Sequence, residues 1–210
     1  MKLYDWSIAP NPKRVRMYLA EKGIEVEREE AAEPGKPVLK PEYLERFPHR
    51  RVPLLELDDG TTIGEAMAIC RYFETLHPEP PLMGSGALDI ATVEMWERIS
   101  ESEGMFVAAE VFRNSKRSFA GRALPGYAEP IEQIPELIER GRLRMAQYYD
   151  KLDGQIGDRD FIAAERFTVA DITAYCVIEF AKFCDLEIPE SCANVRRWFD
   201  AVAQRPSARA

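Results

Sequence analysis

The sequence predicts a two-domain protein: a mixed α/β module over residues 1–78, a linker over 79–87 and an all-helical module over 88–210. Three observations carry this. Before residue 77 the apolar runs are short and broken by Pro and Gly, and Asp59-Gly60 between two of them is a hairpin signal. Residues 77–86 (His-Pro-Glu-Pro-Pro-Leu-Met-Gly-Ser-Gly) hold Pro and Gly densely enough to break any regular element. Beyond them, apolar residues recur at helical spacing.

Residues 2–8 (Lys-Leu-Tyr-Asp-Trp-Ser-Ile) form the first expected strand, stopped by Pro10. In the helix that follows, Asn11 is a good N-cap type, Pro12 suits the first helical position and Gly23 can end it in the left-handed conformation. Residues 24–30 alternate Ile24 and Val26 with charges, as a partly exposed strand does. A short helical piece is expected at Pro41–Arg46, then strands at Val52–Leu57 and Thr61–Ile63 around the Asp59-Gly60 turn, then a helix from Glu65 to Leu76. The order is βαβαββα. In the second module one long helix is expected from Leu88 to Lys116 and another from Glu132 to Ile156, with Gly121–Pro130 as a loop. Phe167-Thr168-Val169-Ala170-Asp171-Ile172 reads as a capping box with a hydrophobic staple: Thr168 caps, Asp171 returns a bond, and Phe167 meets Ile172. The helix it opens is apolar nearly all round and suits a buried central position. A last helix carries Val195, Trp198, Phe199 and Val202 and ends near Pro206.

The composition, 46% hydrophobic, supports a packed core, and no run of about 18 uncharged apolar residues occurs. Membrane and signal segments are therefore not expected, and the default compartment is the cytoplasm. A net charge of −8 argues against nucleic acid as a partner. Residues 1–51 nevertheless hold eleven Lys and Arg against nine Asp and Glu. Lys36, Lys40, Arg46, His49, Arg50 and Arg51 form a local basic tract that either attracts a small anion or is a solvated face. The four cysteines, Cys70, Cys176, Cys184 and Cys192, lack metal or disulfide spacing, so no metal site is expected and the thiols read as reduced and buried.

Five segments in order resemble the cytosolic glutathione transferases over nearly the whole chain. They are Ala9-Pro10-Asn11-Pro12-Lys13-Arg14-Val15-Arg16, Arg51-Val52-Pro53-Leu54-Leu55, Gly64-Glu65-Ala66, Phe167-Thr168-Val169-Ala170-Asp171, and Arg196-Arg197-Trp198-Phe199 through Arg205-Pro206. The resemblance implies a thioredoxin-like first domain, a helical bundle, glutathione as co-substrate without a metal, and a homodimer.

It also implies a site. Val52-Pro53 would be a cis bond, leaving the Val52 backbone to pair with the cysteinyl part of the ligand like an added strand; the alternative is a trans proline that merely starts a strand. Glu65 and Ala66 open a helix whose free N–H groups can hold the γ-glutamyl carboxylate, with the Glu65 carboxylate on the amine. Arg50, with Lys40 assisting, falls where a basic side chain can meet the glycyl carboxylate, though both also suit a plain surface role. Ala9 and Ala66 stand where the family often has hydroxyl residues, so the usual donor to the thiolate is missing. Asn11 is its best substitute if it is not simply the helix cap, and Ser7 is a second candidate. The electrophile pocket would lie between the domains, near Met105, Phe106, Phe112 and Arg113, residues that equally suit a bundle core. The resulting expectation is conjugation of glutathione to a small hydrophobic electrophile. Glutathione-dependent disulfide or peroxide reduction, and non-catalytic glutathione binding, stay open.

Overall fold

The computed structural model describes residues 1–36 and 38–210. Strand β1 (Lys2–Asp5) is followed by α1 (Pro10–Lys22), β2 (Glu27–Glu30), α2 (Pro41–Arg46), β3 (Leu54–Glu56), β4 (Thr62–Gly64) and α3 (Ala66–Leu76). The sheet order is β2-β1-β3-β4, with β1 parallel to β2 and antiparallel to β3, and β3 antiparallel to β4. Period-two alternation sends Leu3 and Leu55 into the main core and Tyr4 and Leu54 to the opposite face, against Tyr43 and Phe47. The first strand is shorter than expected because the chain turns after Asp5, with Ala9 N–H bonding the Trp6 carbonyl at 2.9 Å. The second begins three residues late: Ile24 and Val26 pack on the core before the pairing starts at Glu27. Its four exposed, charged residues make a protected sheet edge.

The helical part comprises α4 (Ala87–Ile99), a π-helical segment (Ser100–Met105), α5 (Phe106–Ser115), α6 (Glu136–Ile156), α7 (Val169–Ala181) and α8 (Ala193–Ala203). The single helix expected over 88–116 is thus continuous but carries a π turn. There Gly104 lets neighbours close in, since a Cβ on it would lie 2.8 Å from Val177 Cγ1. The helix expected from 132 starts at 136: before it Ile131 forms a β-bridge with Arg122, its N–H on the Gly121 carbonyl at 2.9 Å.

The segment between the domains is pinned on both sides. Lys22 Nζ donates to the His77 and Pro80 carbonyls at 2.7 and 2.6 Å, and Val169 N–H bonds the Leu82 carbonyl at 3.0 Å. Leu82 and Met83 are buried in a core that runs unbroken from Leu3 to Ala208. The two segments Phe167–Asp171 and Arg196–Phe199 also meet. Asp171, closing the capping box with Thr168, accepts at 3.0 Å from Trp198 Nε1, Ile162 N–H and Thr168 N–H. Burial pushes its carboxyl up to about 6, against these donors, which pull it down. Asp171→Ala leaves these donors buried without an acceptor. The expected loss is about 3 kcal/mol or more, read from chemical denaturation.

Candidate functional site

The β3–β4 register places Leu54 opposite Gly64, so Val52-Pro53 on one strand and Glu65-Ala66 on the other lie side by side at the same end of the sheet. The Val52–Pro53 bond is cis. Among the described residues the Val52 backbone makes no hydrogen bond, so its N–H and C=O are open to a ligand. Beside it, α3 begins at Ala66 with no side-chain cap, and its first-turn N–H groups have no intrahelical acceptor. Glu65, at φ 65°, is exposed and pairs with Arg51 Nη1 at 3.5 Å. That exposed pair is weak and leaves the Glu65 carboxylate able to exchange partners. The sequence places Arg51 in the basic tract and at the head of the Arg51–Leu55 segment, without a role at the ligand. Its neighbour Arg50 has φ 55° and a half-buried side chain, and Lys40 caps α2 as a backbone position with a half-buried side chain. Of the basic tract, Arg46 is committed elsewhere, to Glu56 and Tyr4 Oη.

A second region opens beyond the first strand. Ser7, Ile8, Ala9 and Pro10 form one wall of an interdomain cleft of ≈ 370 Å³, with Lys13. The opposite wall is the C-terminal half of α7 and its continuation: Cys176, Glu179, Phe180, Lys182 and Phe183. The Ser7 hydroxyl makes no hydrogen bond among the described residues, while its carbonyl accepts from Arg16 Nη2 at 2.9 Å. Asn11 is not the helix cap. Ala9 holds the N-cap position and Pro10 the first helical one, so the Asn11 side chain is released from capping. Its Oδ1 accepts from Arg14 Nη1 at 3.0 Å, and its Nδ2 has no partner among the described residues.

The residues proposed for the electrophile divide. Met105 is 1% exposed and sits in the main core, not on an open wall, because it ends the π turn facing the bundle interior. Phe106 is 59% exposed. Phe112 is half-buried and links Phe119 to the cleft residue Phe180, with ring centroids 5.1 Å apart in both pairs. Arg113 stacks on Phe119 at 4.8 Å and donates to the Arg122 carbonyl at 2.8 Å. Burial, with repulsion from Arg122 and Arg51, pushes its guanidinium down to about 10, still cationic at neutral pH. None of the four lines the cleft itself, whose far wall comes from α7. A roomier hollow, ≈ 470 Å³, lies by the linker at Ser85–Asp89, Thr92 and Ala163. It is shallow, and its Asp89 carboxylate is already bound to Arg166 at 2.5 Å and Ser85 N–H at 2.7 Å.

The sequence pattern described as "Glutathione S-transferase, N-terminal domain" matches residues 3–81, and "Glutathione S-transferase, C-terminal domain" matches residues 135–201. Glutathione S-transferase 2 of Saccharomyces cerevisiae is 31% identical over 99% of this chain and 87% of its own length. The chain belongs to the glutathione S-transferase family. A glutathione S-transferase domain-containing protein of Marinobacter aquaeolei VT8 superposes with a TM-score of 0.86 at 33% identity, covering 99% of each chain. The first domain is accordingly the thioredoxin-like part of this fold and the second its all-helical part. Elongation factor 1-gamma of Prunus avium is also similar, at 29% identity over 88% of this chain but only 41% of its own length.

Family membership sharpens the question of the thiol. All four cysteines are buried, and burial raises each thiol, Cys176 to about 12 and Cys184 to about 11. The chain therefore offers no thiolate of its own near neutral pH. A disulfide reagent on the native protein is expected to label none of the four cysteines within minutes and all four after denaturation. Prompt labelling of a native thiol contradicts this.

Proposed function

We propose that this chain is a glutathione transferase, joining the glutathione sulfur to a small hydrophobic electrophile. The observation that carries the reading is the register that sets the open Val52 backbone against the uncapped start of α3. Each part of the tripeptide then has a chemically matched partner. The cysteinyl backbone takes the Val52 N–H and C=O. The γ-glutamyl carboxylate takes the first-turn amides at Ala66, where the missing hydroxyl costs one contact but leaves the N–H groups. The amine goes to Glu65, in exchange with Arg51, and the glycyl carboxylate to Arg50 with Lys40.

The free thiol, with a pKa of about 8.5, is only a few per cent ionised at pH 7, so the reaction needs a donor that favours the thiolate. Asn11 Nδ2 fills that role, aided by the N-terminus of α1, with the Ser7 hydroxyl as the second donor. The thiolate attacks an electrophile held by Ile8, Pro10, Phe180 and Phe183, with Phe112 packed behind Phe180. Apolar walls exclude water around the nucleophile and bind a hydrophobic partner. The cytoplasm and a homodimer complete the reading, the latter checked by a solution mass twice that of the chain.

Conjugation of a chlorinated nitroaromatic is the direct test, run beside reduction of a small disulfide. Measurable conjugation is expected, with Asn11→Ala lowering kcat/KM by about tenfold or more and Ser7→Ala by less. The pH profile of kcat/KM for Asn11→Ala is expected to shift to higher pH, since its bound thiol ionises later. Turnover of the disulfide alone, or glutathione binding without turnover, overturns the transferase reading. The second outcome would favour a binding role, which similarity to an elongation factor and the alanines at positions 9 and 66 also motivate.

A further inference from the structure

We propose that Arg14 is a positioning residue that decides which end of the Asn11 amide is left free for a ligand. This rests on the reading that Asn11 donates to the glutathione sulfur. A side-chain amide has a donor end and an acceptor end, and only the donor end helps a thiolate. With Oδ1 turned toward the sulfur, the same residue would oppose ionisation.

Arg14 settles the choice because a guanidinium offers donors and no acceptor. The Asn11 atom 3.0 Å from Arg14 Nη1 is therefore the carbonyl oxygen, and Nδ2 is left for the ligand. Turning the amide over would set two donors against each other at a part-buried contact with the buried Arg14, which would lose a hydrogen bond there.

Arg14 itself has no freedom to adapt. It is 2% exposed, and each of its nitrogens is held by the helical domain. Nη2 donates to Glu97 Oε1 at 2.6 Å on α4, Nη1 to Glu101 Oε1 at 2.9 Å on the π-helical segment, and Nε to Thr173 Oγ1 at 3.1 Å on α7. The guanidinium plane is thus fixed from three directions before it meets Asn11. Two carboxylates surround this one cation, so Arg14 does not act by lending positive field to the sulfur. What it supplies is direction.

Ultraviolet titration of the thiolate in the glutathione complex reads the relevant quantity, the pKa of the bound thiol. The proteins compared are wild type, Asn11→Ala, Arg14→Lys, Arg14→Gln and Arg14→Gln with Glu97→Gln. In the double variant the fully buried carboxylate is neutralised together with its partner, and the part-buried Glu101 keeps its pair with Arg98 at 3.0 Å, which protects folding. Glutamine can present either oxygen or nitrogen to Asn11, so the amide is no longer held one way. Both glutamine variants are expected to raise the thiol pKa by about one unit or more, with the glutathione KM within about threefold of wild type. Arg14→Lys, still donor-only, is expected to recover part of the shift. If Asn11→Ala raises the pKa while the folded double variant keeps the wild-type value, the role assigned to Arg14 is wrong. If Asn11→Ala itself leaves the pKa unchanged, Asn11 is not the donor, and both readings fall together.

Discussion

Burying the Arg14 guanidinium among Glu97, Glu101 and Thr173 fixes how α1 lies across the helical bundle. The same helix packs Val15, Tyr18 and Leu19 into the core shared with the sheet. Breaking a buried pair of this kind by removing one partner typically costs about 3–5 kcal/mol, so the helix has little choice of position. Secondary ties act in the same sense: Arg205 holds Glu21 at 2.7 and 2.9 Å, and Arg16 Nε reaches the Ala210 carbonyl at 3.0 Å. With α1 fixed, so are the loop at Ser7–Pro10 and the Asn11 side chain. Both lie at the seam between the domains, where the proposed function puts the glutathione sulfur.

The division of labour follows from that geometry. On the proposed function, recognition of a peptide-like ligand falls to backbone groups and a helix start in the first domain, which cost no side-chain entropy when they bind. On the same proposal, specificity for the second substrate falls to apolar side chains near the end of α7, away from the sheet. Ala9 and Ala66 are tolerable in this arrangement, because the contacts they lack are single hydrogen bonds among several that remain.

Much of this was legible in the sequence where a signal is local. Thr168 and Asp171 mark a helix start, Asp59-Gly60 a hairpin, and Pro41 through Arg46 a short helix, because each depends on residues a few positions apart. The Ala9–Asn11 boundary was ambiguous for a physical reason. Pro10 and Pro12 both fit a first helical turn, and the Asn11 side chain, free of capping, meets Arg14, whose other partners lie some 80 to 160 positions away. The cleft was half legible. Its position between the domains and Ser7 on its near wall were in view, but its far wall lies on a helix whose pattern reads as buried all round and whose end alone emerges. Likewise, the π turn at Ser100–Met105 changes the phase of the long helix, turning Met105 inward and Phe106 outward, which a period of 3.6 does not foresee.

The most direct measurement is a backbone amide spectrum of the protein titrated with glutathione. The largest shifts are expected at Val52 and at Glu65 through Ala68, saturating together, with the Asn11 side-chain amide moving in the same step. Saturable shifts confined to the linker hollow by Ser85 and Thr92, or no shifts at all, would place the peptide thiol elsewhere or nowhere on this chain.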